Sequence, residues 1–196
     1  MHIAQLIIVN AADAEGAVSE ANSHAVMHNN NWSDWSVTGG RWRDEFSSPE
    51  YCTYEGVSYC NNPPEEQPPE TVGYALRYGG NEKLFELKLK EYQSYRNKSI
   101  EKYESIYQGV TVDEIMSNKG KVFSQEEYQS GEYFKDPYWL MRYLELKAGM
   151  HPNDETFLQW VDENGCGDYA PDVEQILVQA QIQPSYYWMV VVDFHF

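Results

Sequence analysis

The chain predicts an α+β protein whose sheet is built from both ends of the sequence, with a large helical insertion between them. Three observations predict this. The first residues, "HIAQLIIVNA" (2–11), and the last, "SYYWMVVVDFHF" (185–196), are continuous apolar runs rich in β-branched side chains, the signature of strands covered on both faces. Between them, residues 81–149 read as successive capped helices. Charge divides the chain at the same places. Residues 1–76 carry 11 acidic and 2 basic side chains, residues 77–147 carry 12 of each, and residues 148–196 carry 8 acidic and none basic, so the net −17 sits in the flanks.

After the first strand, "DAEGAVSEANSHAVM" (13–27) reads as a helix with acidic residues in its first turn and a narrow stripe of Ala17, Val18, Ala21, Ala25 and Val26. "DWSVTGGRW" (34–42) reads as a second strand broken at Gly39–Gly40. Residues 44–70, with two Pro-Pro pairs, read as loop, and "TVGYALRYGG" (71–80) as a short strand. A long helix is expected over 81–107, then short helices opened by the capping-box-like "TVDE" (111–114) and "SQEE" (124–127). The next helix has Asp136 as N-cap, Pro137 at its first position and Gly149 past its end. "NDETFLQWVDENG" (153–165) reads as a further helix ended by Gly165, and "APDVEQILVQAQ" (170–181) as the last. Removing the insertion leaves β-α-β-β-α-β, a ferredoxin-like order with the first and last strands adjacent at the centre. The expected domains are a sheet core (1–80 and 166–196) and a helical insertion (81–165). Antiparallel pairing of the end strands puts residue 2 beside residue 195.

The charge excludes some function classes. An acidic surface repels nucleic acid and anionic lipid, so neither direct nucleic-acid binding nor membrane attachment is expected. No apolar run reaches the roughly 18 residues of a membrane span, and "MHIAQLIIVN" lacks the basic leader of a signal peptide. Three cysteines, Cys52, Cys60 and Cys166, suit free thiols in a reducing cytoplasm. Phosphate loops, dinucleotide fingerprints and nucleophile elbows are absent, and no cofactor is expected. His24 and His28 share a helix face, but "HAVMH" lacks a metalloprotease pattern and the spacing of Cys52 and Cys60 fits no zinc module, so no metal is expected.

"DWSVTGGRW" (34–42) and "VVVDFHF" (190–196) together resemble a group of phage- and prophage-encoded proteins of unassigned function. These carry an Asp-Trp-aromatic-x-Ile-Gly-Gly-Arg-Trp segment and a strand ending Val-Asp-x-His. The matching residues are Asp34, Trp35, Gly39, Gly40, Arg41, Trp42, Asp193 and His195; Ser36 and Thr38 depart from the pattern. The resemblance implies a phage setting, hence a host-cell cytoplasm, and no particular chemistry.

Those residues are also the candidate ligand site: Trp35, Gly39, Gly40, Arg41, Trp42, Asp193 and His195. Glycines let a backbone approach a ligand closely, an arginine forks onto phosphate or carboxylate, and tryptophans stack on flat rings. Asp193 and His195 lie two apart on a strand and share a face, where a carboxylate can orient an imidazole. The competing reading is a packed bulge with Arg41 paired to an acid. Eight tyrosines over 92–143 suit either an interface or the seam between insertion and sheet.

Two functions follow, the first not an enzyme and the second a binding or catalytic site. The first is an acidic phage-type binding protein that occupies a basic, nucleic-acid-binding surface of a host or defence protein, in the manner of anti-CRISPR or anti-restriction inhibitors. The second is a nucleotide or small-anion site around Arg41, Trp42, Asp193 and His195. A self-associating structural or regulatory phage protein is a third reading, and the charge also serves plain solubility.

Overall fold

The computed structural model describes residues 2–32, 35–46, 53–54, 57–58, 73–150, 157–161 and 167–195. The strands are β1 (His2–Asn10), β2 (Trp35–Thr38), β3 (Thr53–Tyr54), β4 (Val57–Ser58), β5 (Ala75–Arg77), β6 (Phe157–Val161), β7 (Gly167–Asp168) and β8 (Tyr187–His195). The helices are α1 (Ala14–Trp32), α2 (Glu82–Tyr107), α3 (Val112–Ser117), α4 (Gln125–Ser130), α5 (Pro137–Ala148) and α6 (Val173–Ile182), with 3-10 turns at Gly40–Trp42 and Glu132–Lys135.

Two long apolar strands dominate the sheet. β1 and β8 pair antiparallel along their whole lengths, from His2 opposite His195 to Asn10 opposite Tyr187, and both are buried throughout their interiors. The register expected from the sequence is the one found. The sheet has six strands in the order β2-β8-β1-β6-β7, with β5 also on β8. β2 and β5 lie end to end along the outer edge of β8, β2 against residues 192–195 and β5 against 188–190. β3 and β4 form a separate small hairpin inside the stretch read as loop.

This order is not ferredoxin-like. Residues 157–161 form a strand, not a helix, and β6 pairs parallel with β1, Leu6 opposite Leu158. A split βαβ unit inserts a strand between its two parallel ones; here β1 and β6 are directly bonded, so the sheet is mixed. "FLQWV" is too short for periodicity to separate a buried strand from a helix turn. Its central Gln159 is buried and accepts a hydrogen bond from Gln5 on β1 at 2.6 Å, so the residue that suggests a polar helix face satisfies a neighbour inside the sheet.

Helices cover both faces. Alternation sends Ile7, Val9, Trp188, Val190, Val192 and Phe194 to one face, where Ala17, Ala21 and Ala25 bring α1 close. Ala4, Leu6, Ile8, Leu158, Met189 and Val191 point to the other, under Leu84, Phe85, Leu89 and Tyr92 of α2 and Val173, Ile176, Leu177 and Ala180 of α6.

α2 is about 39 Å long at 1.5 Å per residue, so it extends past the sheet. Its far half builds a second core with α5: Tyr103, Tyr143 and Leu146 are buried there beside Ile100, Ile106, Tyr107 and Phe134. The tyrosines therefore divide. Tyr92 and Tyr95 sit at the seam with the sheet, Tyr103, Tyr107 and Tyr143 stack inside the helical unit, and Tyr128 and Tyr138 are exposed.

The caps act as their sequences demand. Ser124 and Glu127 form a reciprocal capping box, Thr111 accepts from the Glu114 amide, and Asp136 accepts from Tyr138 ahead of Pro137. No described helix is long and apolar enough to cross a membrane.

Candidate functional site

The two motifs meet at one end of the sheet. His2, Ala4, Trp35, Val37, Asp193 and His195 share a face, because Trp35 and His2 both lie opposite His195, and Val37 and Ala4 opposite Asp193. Asp193 is only 1% exposed. A buried carboxylate is costly unless hydrogen bonds hold it, and two arrive from distant parts of the chain. The Arg41 backbone N–H donates to Oδ2 at 3.1 Å, and His2 Nδ1 lies 2.9 Å from Oδ1.

The Gly-Gly pair makes the first bond possible. After β2 the Gly39 amide donates to the Val191 carbonyl at 2.8 Å, and the chain then folds over β8. Gly39 has φ 73° and ψ −69°, a γ-turn geometry open essentially to glycine. Gly40 follows at φ 50°, and a Cβ there would lie 2.4 Å from Asp193 Cβ and 2.5 Å from Oδ2. Only glycine lets the backbone sit on the carboxylate. The stretch expected to interrupt a strand is thus a 3-10 turn packed on Asp193.

The second bond sets a tautomer. A carboxylate accepting at Nδ1 keeps the imidazole proton there and leaves Nε2 as the acceptor, the arrangement that prepares a histidine to take a proton. The His2 side chain is 18% exposed, enough to meet a ligand. His195 shares Asp193's face, as the alternation expects, but it is His2 that bonds the carboxylate. His195 stacks on Trp35 at 5.2 Å and 6° between planes, and meets His2 edge-on at 4.9 Å. Trp35, 42% exposed, also meets His2 edge-on at 5.4 Å.

The remaining candidates separate. Trp42 is partly buried and packs against the main core, where it props the turn. The Arg41 side chain is exposed and forms no ion pair with a described residue, while its backbone does the binding. Arg43 reaches Asp44 at 3.6 Å on the surface. His24 is buried beside Glu20 at 3.2 Å, away from this site. The His28 side chain, Asp34 and the three cysteines lie outside the described residues, among which no three-residue metal cluster exists.

Below the turn lies a group of charges that sequence reasoning missed. Lys88 of α2 is 1% exposed, with Nζ 2.8 Å from Glu45 Oε1 and 3.0 Å from Glu91 Oε2. Burial opposes the Lys88 charge, but attraction and hydrogen bonding from the two carboxylates outweigh it and hold its pKa above the ordinary value. Burial raises Glu45, with Lys88 pulling the other way. Buried Tyr92 beside them is pushed well above its ordinary value, first by burial and then by the same carboxylates. The only sequence signal for this group was Lys88 falling within three residues of positions on the apolar face of α2.

Two open depressions of about 520 and 580 Å³ lie on the helical unit, away from Asp193, one beside Tyr128 and Phe134 and the other beside Gln108 and Tyr143. Their walls hold no buried carboxylate or oriented imidazole. Comparison with known protein families, with curated proteins and with solved structures gives no match for this chain.

Proposed function

We propose that the end of the sheet binds a small anionic ligand carrying a flat ring, of the nucleotide class, with His2 placed to accept a proton from it. The observation that carries this reading is the double use of Asp193. One buried carboxylate fastens the Gly39–Trp42 turn through Arg41 N–H and orients His2 through Nδ1. A sheet end needing only stability would place an apolar side chain there, as β8 does from Tyr187 to Val192 and at Phe194.

Charge supports the anionic ligand. Outside residues 77–147 the chain has two cationic side chains, Arg41 and Arg43, both on this turn, with His2 and His195 nearby. An acidic molecule concentrates what positive potential its flanks own at this point. Trp35 supplies the exposed ring surface.

A thermal-shift screen against nucleoside monophosphates and cyclic nucleotides tests it. Stabilisation that disappears in Arg41→Ala and weakens in Trp35→Ala is expected. A flat screen with the fold intact overturns the reading.

One observation favours a second reading, the acidic phage-type protein that occupies a basic surface of a host or defence protein. Every lysine lies within residues 83–147. Lys90, Lys121, Lys135 and Lys147 are bonded to glutamates of the helical unit, and Lys88 to its Glu91 as well as to Glu45 of the flank, so the unit's lysines go largely to its own acids. Capture from host lysate at graded salt separates the two. A partner released by molar salt supports this reading, and a partner held unchanged at molar salt contradicts it.

A further inference from the structure

We infer that Lys88 is a positioning residue for the Asp193 site, acting through Glu45 to hold the Gly39–Phe46 turn at the height where Arg41 N–H meets the carboxylate.

The turn has little of its own to hold it. Arg41, Arg43 and Asp44 are exposed, and among the described residues the turn's apolar anchors are Trp42 and Phe46 in the core and Gly39 against the Tyr74 ring. Among the described residues, its polar fastenings to the rest of the fold are Gly39 N–H to the Val191 carbonyl, Arg41 N–H to Asp193, Phe46 N–H to the Gly73 carbonyl at 2.9 Å, and Glu45 to Lys88. The first two tie it to β8. The Glu45–Lys88 pair alone among these ties it to α2, and it comes just after the ligand-facing residues.

Stability does not explain this pair. Taking an ammonium and a carboxylate from water costs much of what their attraction returns, and apolar replacements of similar volume often serve as well or better. What an ion pair provides and an apolar contact does not is a fixed direction. Lys88 is itself held by two carboxylates, Glu45 and Glu91, and the Glu91 carboxylate is also bound by the Tyr95 hydroxyl at 2.7 Å. The lysine is therefore a fixed post from which Glu45 hangs. Because α2 continues into the second core, the post also links the site to the helical unit.

The ligand arm of the test rests on the proposed ligand reading; the exchange arm does not. Glu45→Ala cuts the connection while Lys88 keeps Glu91, so no charge is stranded. Glu45→Met/Lys88→Met removes both charges and supplies apolar volume, leaving the Glu91 carboxylate to the Tyr95 hydroxyl. Lys90→Met, on an exposed lysine of the same helix, is the control. Hydrogen exchange at the Arg41 amide is compared with exchange at Ile7 in the central strand, and adenosine monophosphate is the ligand probe.

In both Glu45 variants the Arg41 amide is expected to exchange at least about tenfold faster while Ile7 is unchanged, and probe affinity to fall by a similar factor; Lys90→Met changes neither. If either folded variant keeps wild-type protection at Arg41, the pair is merely structural and the inference fails. If the wild-type protein does not bind the probe but Arg41 still loses protection in the variants, the ligand reading fails and the positioning role stands.

Discussion

Gly40→Ala should be among the most damaging single-methyl additions in this protein, and its cost can be worked from two terms. Gly40 has φ 50°, and a left-handed backbone costs a non-glycine residue about 1–2 kcal/mol. The new methyl would also stand 2.4 Å from Asp193 Cβ and 2.5 Å from Oδ2. Neither neighbour is the far end of a flexible chain: Asp193 is buried in a central strand. The turn must lift, and the Arg41 hydrogen bond to the carboxylate goes with it, worth about 1.5–3 kcal/mol for a charged acceptor. The sum is about 2.5–5 kcal/mol, a large part of the roughly 5–15 kcal/mol that holds a typical domain.

Gly80→Ala is the matched control. It has φ 90°, but nothing lies within 4 Å of its would-be Cβ, so it bears only the backbone term. Urea denaturation followed by far-UV circular dichroism gives both values with a common slope. Gly40→Ala should be the more costly by at least about 1.5 kcal/mol, the lower bound of the hydrogen-bond term. Equal losses within about 0.5 kcal/mol would show that the turn does not rest on Asp193, a difference well outside ordinary surface effects.

Three other predictions concern the carboxylate, the buried charges and the helical unit. Asp193→Asn can still accept from Arg41 N–H, but its amide NH₂ then faces His2 Nδ1, so nitrogen-15 NMR should show the His2 proton moved to Nε2; an unchanged tautomer contradicts the bond. Lys88 and Tyr92 both have pKa values raised above the ordinary 10.5 and 10.0, so each adds stability that is complete below those values and is lost as pH rises through the higher folded ones. Melting temperature should hold to about pH 10 and then fall, less steeply in Glu45→Met/Lys88→Met; equal slopes in the two proteins count against the buried charge. Arg96→Ala removes donors to the Leu146 and Lys147 carbonyls at the end of α5, and should cost about 1–2 kcal/mol and loosen α5 ahead of the sheet in hydrogen exchange.

The sheet was legible where the sequence is one-dimensional in its message. Continuous apolar runs at 2–11 and 185–196 had no other place than a doubly covered sheet, and their antiparallel pairing brought residues 2 and 195 together. The strand order was not legible, because it turned on "FLQWV". Five residues support either period, and the flanking acids and Gly165 favoured a helix. Gln159 became readable only with Gln5 within hydrogen-bond reach diagonally across the β1–β6 pair, 154 positions away.

The site divides the same way. Its members were visible as residue types, since glycine pairs, arginine, tryptophan and an Asp-x-His strand are rare together. Their bonds were not. Alternation says that Asp193 and His195 share a face, but not that His2 reaches Asp193 diagonally across the strand pair, or that Arg41 binds through its backbone. Lys88 and Glu45 are 43 residues apart and each looks like an ordinary surface charge until the turn is folded over α2.

The most direct test is a proton–nitrogen NMR titration of the full chain with adenosine monophosphate. The account predicts shifts confined to His2, Trp35, the Gly40–Arg41 amides and residues 193–195, with the His2 side-chain nitrogens among the largest. Shifts centred instead on the helical unit, or none at millimolar ligand, would contradict a ligand site at Asp193.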